Sequence, residues 1–305
     1  MTTIASLSAA QLRRRLAGPG LHLQTGSFIT HLRTPVAQVA DGVGLLYADY
    51  PLIDDPGFAD FHVEMARTGG LRRFYKQQVL FRSDGREPFK PLPIAHAFPM
   101  FEWSMNWCVS SRAHEYLIIH AAVVERHGVA AILPAPPGSG KSTLCAALVS
   151  RGWRLLSDEL TMVRLADGMI EPLPRPISLK NASIEIMRSY APEAVFSVPV
   201  PATNKGTVAH VKPPAASVAR AGELARPAWI IFPTWVAGAA PLLEPIAPAR
   251  AFMQVAENAF NYSGLGHAGF AAMAQLIERS ASYRFRYSAL DDAIDLFARL
   301  TPPAP

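Results

Sequence analysis

The sequence predicts an α/β protein of the α+β type, in which a smaller N-terminal domain precedes a larger one. Three observations support this prediction. Residues 86–99 contain four prolines, which disrupt the interiors of helices and strands, so this stretch is expected to be a connector. Strand patterns dominate before it, and after it two strand patterns lead into a glycine-rich turn and a helix. We therefore assign an N-terminal α+β domain to residues 1–95 and a second domain to residues 96–305.

The elements of the first domain follow from alternating and helical patterns. Residues 8–17 form a short basic amphipathic pattern, interpreted as a solvated terminal helix rather than a membrane contact. Residues 27–33 and 59–67 alternate apolar and polar side chains, as half-buried strands do. Residues 36–50 repeat apolar side chains at helical spacing, and residues 72–89 indicate a strand that ends in a turn. No catalytic constellation stands out, so this domain is expected to serve recognition or assembly.

The second domain begins with a helix pattern over residues 101–117. Residues 117–125 and 129–135 then predict two strands, and the short turn between them makes the pair antiparallel. Residues 140–152 predict a helix that opens directly from a glycine-rich loop and ends at a glycine. Residues 153–165 predict an extended segment.

The C-terminal part adds further helix patterns. Residues 250–261 and 268–279 predict two helices, residues 282–288 predict a strand, and a last helix starts near Asp291. No internal repeat interrupts this order, so the second domain is expected to be one α/β unit.

Composition excludes several function classes. The chain has 305 residues, 50% of them hydrophobic and 17% charged, enough for a sizeable core. No apolar run approaches the roughly 18 residues of a membrane span, and the start lacks a secretory-signal pattern. Cys108 and Cys145 show neither disulfide nor zinc spacing, as expected of a cytoplasmic protein. The net charge of +5, with no long basic run, weakly favours anionic ligands and gives no indication of nucleic-acid binding.

A phosphate-binding loop is the strongest motif in the chain. It follows the pattern G-x-x-x-x-G-K-[ST], except that Ala135 stands at the first glycine position. Two glycines leave backbone N–H groups free to face phosphate oxygens. Lys141 can reach the β- and γ-phosphates, and the hydroxyl of Ser142 can ligate Mg²⁺. The residues predicted to bind the phosphates are Pro137, Gly138, Ser139, Gly140, Lys141, Ser142 and Thr143.

Two adjacent acids follow the helix behind the loop. Asp158 lies 16 residues after Ser142, at the end of a strand pattern, where a nucleotide's metal ion needs an anionic oxygen. The second acid, Glu159, could then accept a proton from a substrate hydroxyl. A single histidine, His120, lies in the apolar strand predicted over residues 117–125. A lone histidine in such a strand is most often a core residue.

These residues together resemble the HPr kinase/phosphorylase family, and longer stretches resemble its subgroup called HprK-related kinase A. The resemblance covers about 40 residues closely, and the matching positions are His120, Gly138, Gly140, Lys141, Ser142, Arg151, Gly152, Asp158 and Glu159. It implies a phosphoenolpyruvate-carboxykinase-like P-loop kinase core with a mixed sheet, ATP and Mg²⁺ as cofactors, and a hydroxyl as acceptor.

The resemblance also implies roles for single residues. Asp158 and Ser142 would hold Mg²⁺, while Glu159, with His120, would face the accepting hydroxyl. Where the family has Asp as the second acid, this chain has Glu159, one methylene longer; Asp158 therefore remains an alternative base. Arg250 partly matches an arginine of the family's C-terminal signature, whose glycine and asparagine are absent here. The family assembles into homo-oligomers, and the sequence leaves open whether this chain does.

Three further basic residues are candidates for the nucleotide site. Arg175, Lys180 and Lys205 stand among Pro, Gly, Asn or Thr, which is typical of loops. A basic residue on a loop near ATP could neutralise charge that develops on the γ-phosphoryl group. The alternative for each is an ordinary surface charge.

The resulting hypothesis is an ATP-dependent kinase. Its first acceptor is a serine of a peptide or small protein, and its second is the hydroxyl of a small molecule. Two alternatives stay open. One is a nucleotide-gated regulatory module without an acceptor; the other is a pseudokinase scaffold, which the departures Ala135 and Glu159 would suit.

Overall fold

The computed structural model describes residues 2–70 and 74–303. Residues 72 and 73, the first two of the strand predicted over 72–89, therefore lie outside the described residues. So do residue 1 of the first predicted domain and residues 304 and 305 of the second. The helices are α1 Ala9–Ala17, α2 Ala37–Leu46, α3 Ala97–Arg112, α4 Lys141–Ser150, α5 Ala182–Tyr190, α6 Ala215–Ala219, α7 Pro248–Glu257, α8 Tyr262–Leu265, α9 His267–Glu278 and α10 Leu290–Ala298.

The strands follow the same chain order. They are β1 Leu21–Thr25, β2 Phe28–Arg33, β3 Leu52–Ile53, β4 Phe61–Arg67, β5 Gln78–Ser83, β6 Leu92–Pro93, β7 Tyr116–Arg126, β8 Val129–Pro134, β9 Arg154–Ser157, β10 Leu160–Arg164, β11 Ile170–Glu171, β12 Ile177–Lys180, β13 Val200–Thr203, β14 Gly206–Val211, β15 Arg226–Trp235, β16 Leu242–Pro245 and β17 Ala281–Tyr287. The predicted mixture of helices and strands is thereby confirmed.

Within the described residues these strands form three sheets. The N-terminal sheet has the order β3-β1-β2-β4-β5-β6, the small sheet β12-β14-β13, and the central sheet β11-β10-β7-β8-β15-β17-β16, with β9 also paired to β7. The central sheet is mixed, because β7 and β8 are antiparallel whereas β8, β15 and β17 run parallel. The antiparallel pairing predicted for the two strands before the glycine loop is confirmed.

The central sheet is covered on both faces. Along β7 the side chains alternate: Ala122 and Val124 pack with α4 and α10, whereas Ile119 and Ala121 pack with α7 and α9. A strand buried on both faces reads as a continuous apolar run, as this one does. Side chains two positions apart on a strand point to the same face, so His120, like Ala122, lies on the α4 face of the sheet.

The N-terminal core extends beyond the predicted boundary at residue 95. It contains Phe98 and Phe101 of α3, and it continues to Ile118 of β7 and Met162 of β10. Tyr50 also donates a hydrogen bond from its hydroxyl to the backbone oxygen of Pro174, at 2.6 Å. The N-terminal sheet is therefore packed against the second domain rather than tethered to it by a linker.

Each of two cores holds one cysteine. Cys108 of α3 lies in the N-terminal core, and Cys145 of α4 lies in the core between α4 and the central sheet. Both are free thiols and both are buried. Burial raises the pKa of Cys108 to about 11, and it raises the pKa of Cys145 well above its usual value. No helix among the described residues has the length and apolar character of a bilayer span.

Candidate functional site

The predicted phosphate-binding loop joins β8 to α4. Gly138 and Gly140 both have positive φ, +85° and +89°, a conformation that favours glycine. A β-carbon on Gly140 would lie 2.7 Å from the hydroxyl oxygen of Tyr287, and that hydroxyl donates a 3.2 Å hydrogen bond to the Gly140 oxygen. The backbone N–H of Trp235 donates to the Ser139 oxygen at 3.0 Å. The ends of β15 and β17 thus hold the loop in place.

A cleft of about 660 Å³ opens over this loop. The small sheet forms its other side, because β12 ends at Lys180 and the turn between β13 and β14 carries Lys205. Both lysines line the cleft together with Lys141. All seven loop residues predicted to bind phosphates also line it, namely Pro137, Gly138, Ser139, Gly140, Lys141, Ser142 and Thr143.

Lys141 is the buried cation of this cleft. It opens α4 and is only 9% exposed. Burial lowers its pKa, and the nearby carboxylate of Asp158 opposes that effect. A buried ammonium group without water favours anionic partners strongly. The first turn of α4 therefore presents a positive charge and a helix N-terminus to the same cleft.

The two acids face different surroundings. The segment predicted as one extended run is in fact two strands, β9 and β10, with Asp158 and Glu159 at the corner between them. Asp158 is 4% exposed, and its Oδ2 accepts a 3.0 Å hydrogen bond from the backbone N–H of Ser178. Glu159 is half-buried and lines the cleft. The corner thus aims one carboxylate inward and the other at the cleft.

Asp158 has the chemistry of a metal ligand. Its Oδ1 is buried and has no hydrogen-bond partner. Burial raises the pKa of Asp158 to about 6, although the Lys141 ammonium pulls it down. No group of three or more His, Cys, Asp or Glu side chains suited to a metal occurs in the described part of the chain, but Mg²⁺ bound with a nucleotide takes only one or two carboxylates beside phosphate oxygens. The orphaned Oδ1 and the hydroxyl of Ser142 fit such a site.

Glu159 is ionised and held by an amide. Burial alone would raise its pKa, but Lys205, Lys180 and Lys141 outweigh burial and lower it. The Nδ2 group of Asn106, on α3, donates a hydrogen bond to Oε2 of Glu159. A carboxylate in this state can accept a proton or a hydroxyl hydrogen bond.

His120 lines the same cleft from β7. Burial and the Lys141 charge lower its pKa to about 4, so its imidazole is neutral near pH 7. Its ring lies 5.5 Å from that of Phe260, and its backbone N–H donates to the Asn258 oxygen at 2.7 Å. The structure therefore places His120 beside Glu159 and the loop, not inside the apolar core.

Arg175 lies on the irregular segment between β11 and β12, as predicted, but it is not among the described residues that line the cleft. It is only 6% exposed, and its guanidinium pairs with the Glu102 carboxylate at 2.7 Å and donates to Oδ1 of Asn106 at 2.6 Å. Burial would lower its pKa, but Tyr47 and Glu102 raise it instead. Asn106 thus connects Arg175 to Glu159, since it accepts a hydrogen bond from the first and donates one to the second.

Two other predicted residues are also placed differently. Lys180 belongs to a strand, β12, although its neighbours suggested a loop. Arg250 lies in the first turn of α7 with its side chain exposed, and it is not among the described residues that line the cleft. The partial match of Arg250 to a family signature therefore does not correspond to a place in the lining of the cleft.

Sequence reasoning missed Asn106 and Ser178, which hold the two acids. Asn106 stands among several polar residues of α3, such as Glu102 and Ser104, so its sequence context gave no signal that distinguished it. Ser178 acts through its backbone N–H, which leaves no signature in the sequence.

A scan against protein-family models and a search of curated proteins each found no match to the chain.

Proposed function

We propose that the protein is an ATP-dependent kinase that transfers the γ-phosphoryl group of Mg-ATP to a hydroxyl. The proposed acceptor is a serine of a peptide or small protein, with a small-molecule hydroxyl as the second choice. One observation carries the proposal: the glycine loop, three lysines, Glu159 and the neutral His120 all line a single cleft. Phosphoryl transfer needs positioning and charge stabilisation of this kind rather than covalent chemistry.

In the proposed reaction the phosphates lie on the loop. The backbone N–H groups of the loop and Lys141 bind the β- and γ-phosphates. Lys180 and Lys205 neutralise charge on the equatorial oxygens as the bond to the leaving oxygen of ADP breaks. The acceptor oxygen forms the new bond to phosphorus, and its proton passes to the carboxylate of Glu159. Asp158 and Ser142 would hold Mg²⁺, which would supply positive charge to neutralise the phosphates.

Glu159 suits the role of base better than Asp158. It lines the cleft, whereas Asp158 is more deeply buried and one of its oxygens already accepts a hydrogen bond from the Ser178 N–H. A loose transition state asks little of the base, so a carboxylate of low pKa suffices to orient the hydroxyl and take its proton. His120, neutral and adjacent, offers a second acceptor for the same hydrogen bond.

We also propose the finer fold and setting that the motif resemblance implies. The mixed central sheet and the antiparallel pair that leads into the loop support a phosphoenolpyruvate-carboxykinase-like kinase core. Two buried free thiols suit a reducing compartment, and we propose a cytoplasmic protein.

The test uses the purified chain, Mg²⁺, γ-labelled ATP and an extract of the native host. The wild type is expected to label an acceptor, and Lys141→Ala and Asp158→Asn are expected to reduce labelling at least ~10²-fold, since each removes charge stabilisation of the transition state. Lys90→Ala is the matched control, because Lys90 is exposed and belongs to neither the loop nor the cleft.

Three results would contradict the kinase. The first is that every product labelled by the wild type is also labelled by Asp158→Asn. The second is Mg-ATP binding with slow hydrolysis and no labelled product, which would favour the regulatory module. The third is Mg-ATP affinity that survives Lys141→Ala in calorimetry, which would show that the loop is not the nucleotide site.

A further inference from the structure

A second cleft adjoins the first at the phosphate-binding loop. It encloses about 890 Å³ and shares Gly138, Gly140, Thr143 and Ala182 with the first cleft. The outer face of α5 and the segment that joins β17 to α10 complete its walls. We call it the outer cleft, and we call the first one the inner cleft.

The two clefts differ in charge. The inner cleft carries Lys141, Lys180 and Lys205. Among the described residues that line the outer cleft there is no lysine or arginine, and there are two acids, Glu185 and Asp291. Each of these acids pairs with an arginine outside the lining, Glu185 with Arg188 at 2.9 Å and Asp291 with Arg151 at 3.9 Å. A triphosphate is therefore favoured in the inner cleft, because the lining of the outer cleft offers no cation to match the three lysines. The outer cleft suits an uncharged group that is joined to the phosphates.

The outer cleft also exposes large apolar side chains next to the loop. Trp235, at the end of β15, is 51% exposed, and Ile186 of α5 is 47% exposed. The Trp235 indole is held in one orientation, because its Nε1–H donates a 3.0 Å hydrogen bond to the Ser288 oxygen. A fixed and exposed aromatic ring is a platform on which a nucleobase can stack.

Trp235 is also tied directly to the phosphate-binding loop. Its backbone N–H donates to the Ser139 oxygen at 3.0 Å, and Gly140 would carry a β-carbon 3.2 Å from the Trp235 β-carbon. The stacking platform and the phosphate cradle therefore keep a fixed separation. Such a tie is useful when one ligand occupies both, because neither part must be ordered on binding.

We propose that the outer cleft binds the nucleoside of the nucleotide, with its base stacked on Trp235, so that the hydroxyl acceptor must enter through the inner cleft. This inference rests on the proposed function, since it takes the loop as the phosphate site. The direction follows from the loop: Lys141 reaches the β- and γ-phosphates, and Glu159 and His120 lie in the inner cleft. The γ-phosphoryl group then points toward these two residues, and the nucleoside leaves on the opposite side.

Calorimetry with ADP and with inorganic tripolyphosphate tests this assignment. Trp235→Ala is expected to raise the Kd of ADP roughly 5- to 150-fold, which corresponds to the loss of one base–aromatic stack. The Kd of tripolyphosphate should stay within about twofold, because tripolyphosphate has no base to stack. Trp235→Phe, which keeps an aromatic ring, should recover most of the ADP affinity. Phe58→Ala is the matched control, since Phe58 is 70% exposed and lines neither cleft.

The outcomes separate this inference from the kinase proposal. Unchanged ADP affinity in Trp235→Ala, or equal weakening of ADP and tripolyphosphate, would overturn the nucleoside assignment alone. Lys141→Ala should weaken both ligands. If Lys141→Ala weakens neither, the loop does not bind phosphate and the proposed function fails.

Discussion

At the scale of single residues, Asn106 has the most consequential contacts outside the motif. Its amide accepts from Arg175 through Oδ1 and donates to Glu159 through Nδ2. Arg175 is itself fixed by Glu102, whose carboxylate also accepts from the Tyr47 hydroxyl at 2.7 Å. A buried chain of hydrogen bonds thus runs from the N-terminal part of the protein to the proposed base. We interpret Asn106 as a positioning residue for Glu159.

Replacing Asn106 should slow turnover without weakening nucleotide binding. Asn106→Ala removes the amide that orients Glu159, so kcat is expected to fall about 10-fold while the KM for ATP stays within about twofold. Steady-state kinetics on the labelled acceptor measures both constants.

Two more variants separate positioning from general damage to the fold. Asn106→Asp places a second carboxylate against Glu159 and should slow turnover further. Ser111→Ala, a similar truncation on α3, should change neither constant. Equal effects of Asn106→Ala on kcat and KM would argue against a positioning role.

The sequence predicted residues that lie close together in the chain better than residues that meet by folding. The loop and the acid pair belong to one strand–helix–strand unit, so their spacing alone indicated a shared site. The loop predicted for Arg175 is confirmed, but its burial was not predicted, because its partner Glu102 lies 73 positions away in the sequence. Trp235 was also missed because its position arises by folding. The parallel pairing of β15 with β8 brings the end of β15, where Trp235 lies, next to the loop.

At the scale of elements, the junction between β8 and α4 depends on Gly140. This residue has positive φ, and a β-carbon there would lie 2.7 Å from the Tyr287 hydroxyl. Gly138 has a similar φ, but nothing lies within 4 Å of its missing β-carbon. A substitution at Gly138 is therefore expected to introduce backbone strain alone, whereas one at Gly140 also introduces a steric conflict.

Gly138→Ala and Gly140→Ala should destabilise the protein to different degrees. Gly138→Ala is expected to lower the free energy of unfolding by about 1–2 kcal/mol through strain alone. Gly140→Ala should cost more, because Tyr287 must move as well. Denaturant unfolding measures both variants.

Tyr287→Phe provides the control for this comparison. In the Gly140→Ala background it removes the oxygen that conflicts with the new methyl group, so part of the lost stability should return. If the two glycine variants are equally stable, the close contact between Tyr287 and Gly140 does not constrain the loop.

At the scale of the whole molecule, the N-terminal sheet and the rest of the chain share packing and polar contacts. The core of that sheet reaches β7 and β10, and Asp49 pairs with Lys212 at 2.8 Å. The hydrogen bond from Tyr50 to the Pro174 oxygen adds a buried link. The sequence placed a domain boundary at residue 95, since prolines indicated a connector, but the apolar residues of α3 pack across that position.

We expect the protein to unfold in a single cooperative transition. Tyr50→Phe leaves the Pro174 oxygen without its partner and should lower the free energy of unfolding by about 1–3 kcal/mol. Differential scanning calorimetry should then show one peak, shifted as a whole. Two peaks, of which only one moves in the variant, would instead show that the predicted domains are thermodynamically independent.

Each of the two buried cysteines can report how often the core around it opens. A thiol reagent can modify Cys108 or Cys145 only when the surrounding core opens, so the rate of modification under native conditions reports how often that happens. Because the two thiols lie in different cores, their rates compare the opening of the N-terminal half with that of the helix that follows the proposed phosphate-binding loop. A ligand on the loop should slow the modification of Cys145. It should slow the modification of Cys108 only to the extent that the two halves open together.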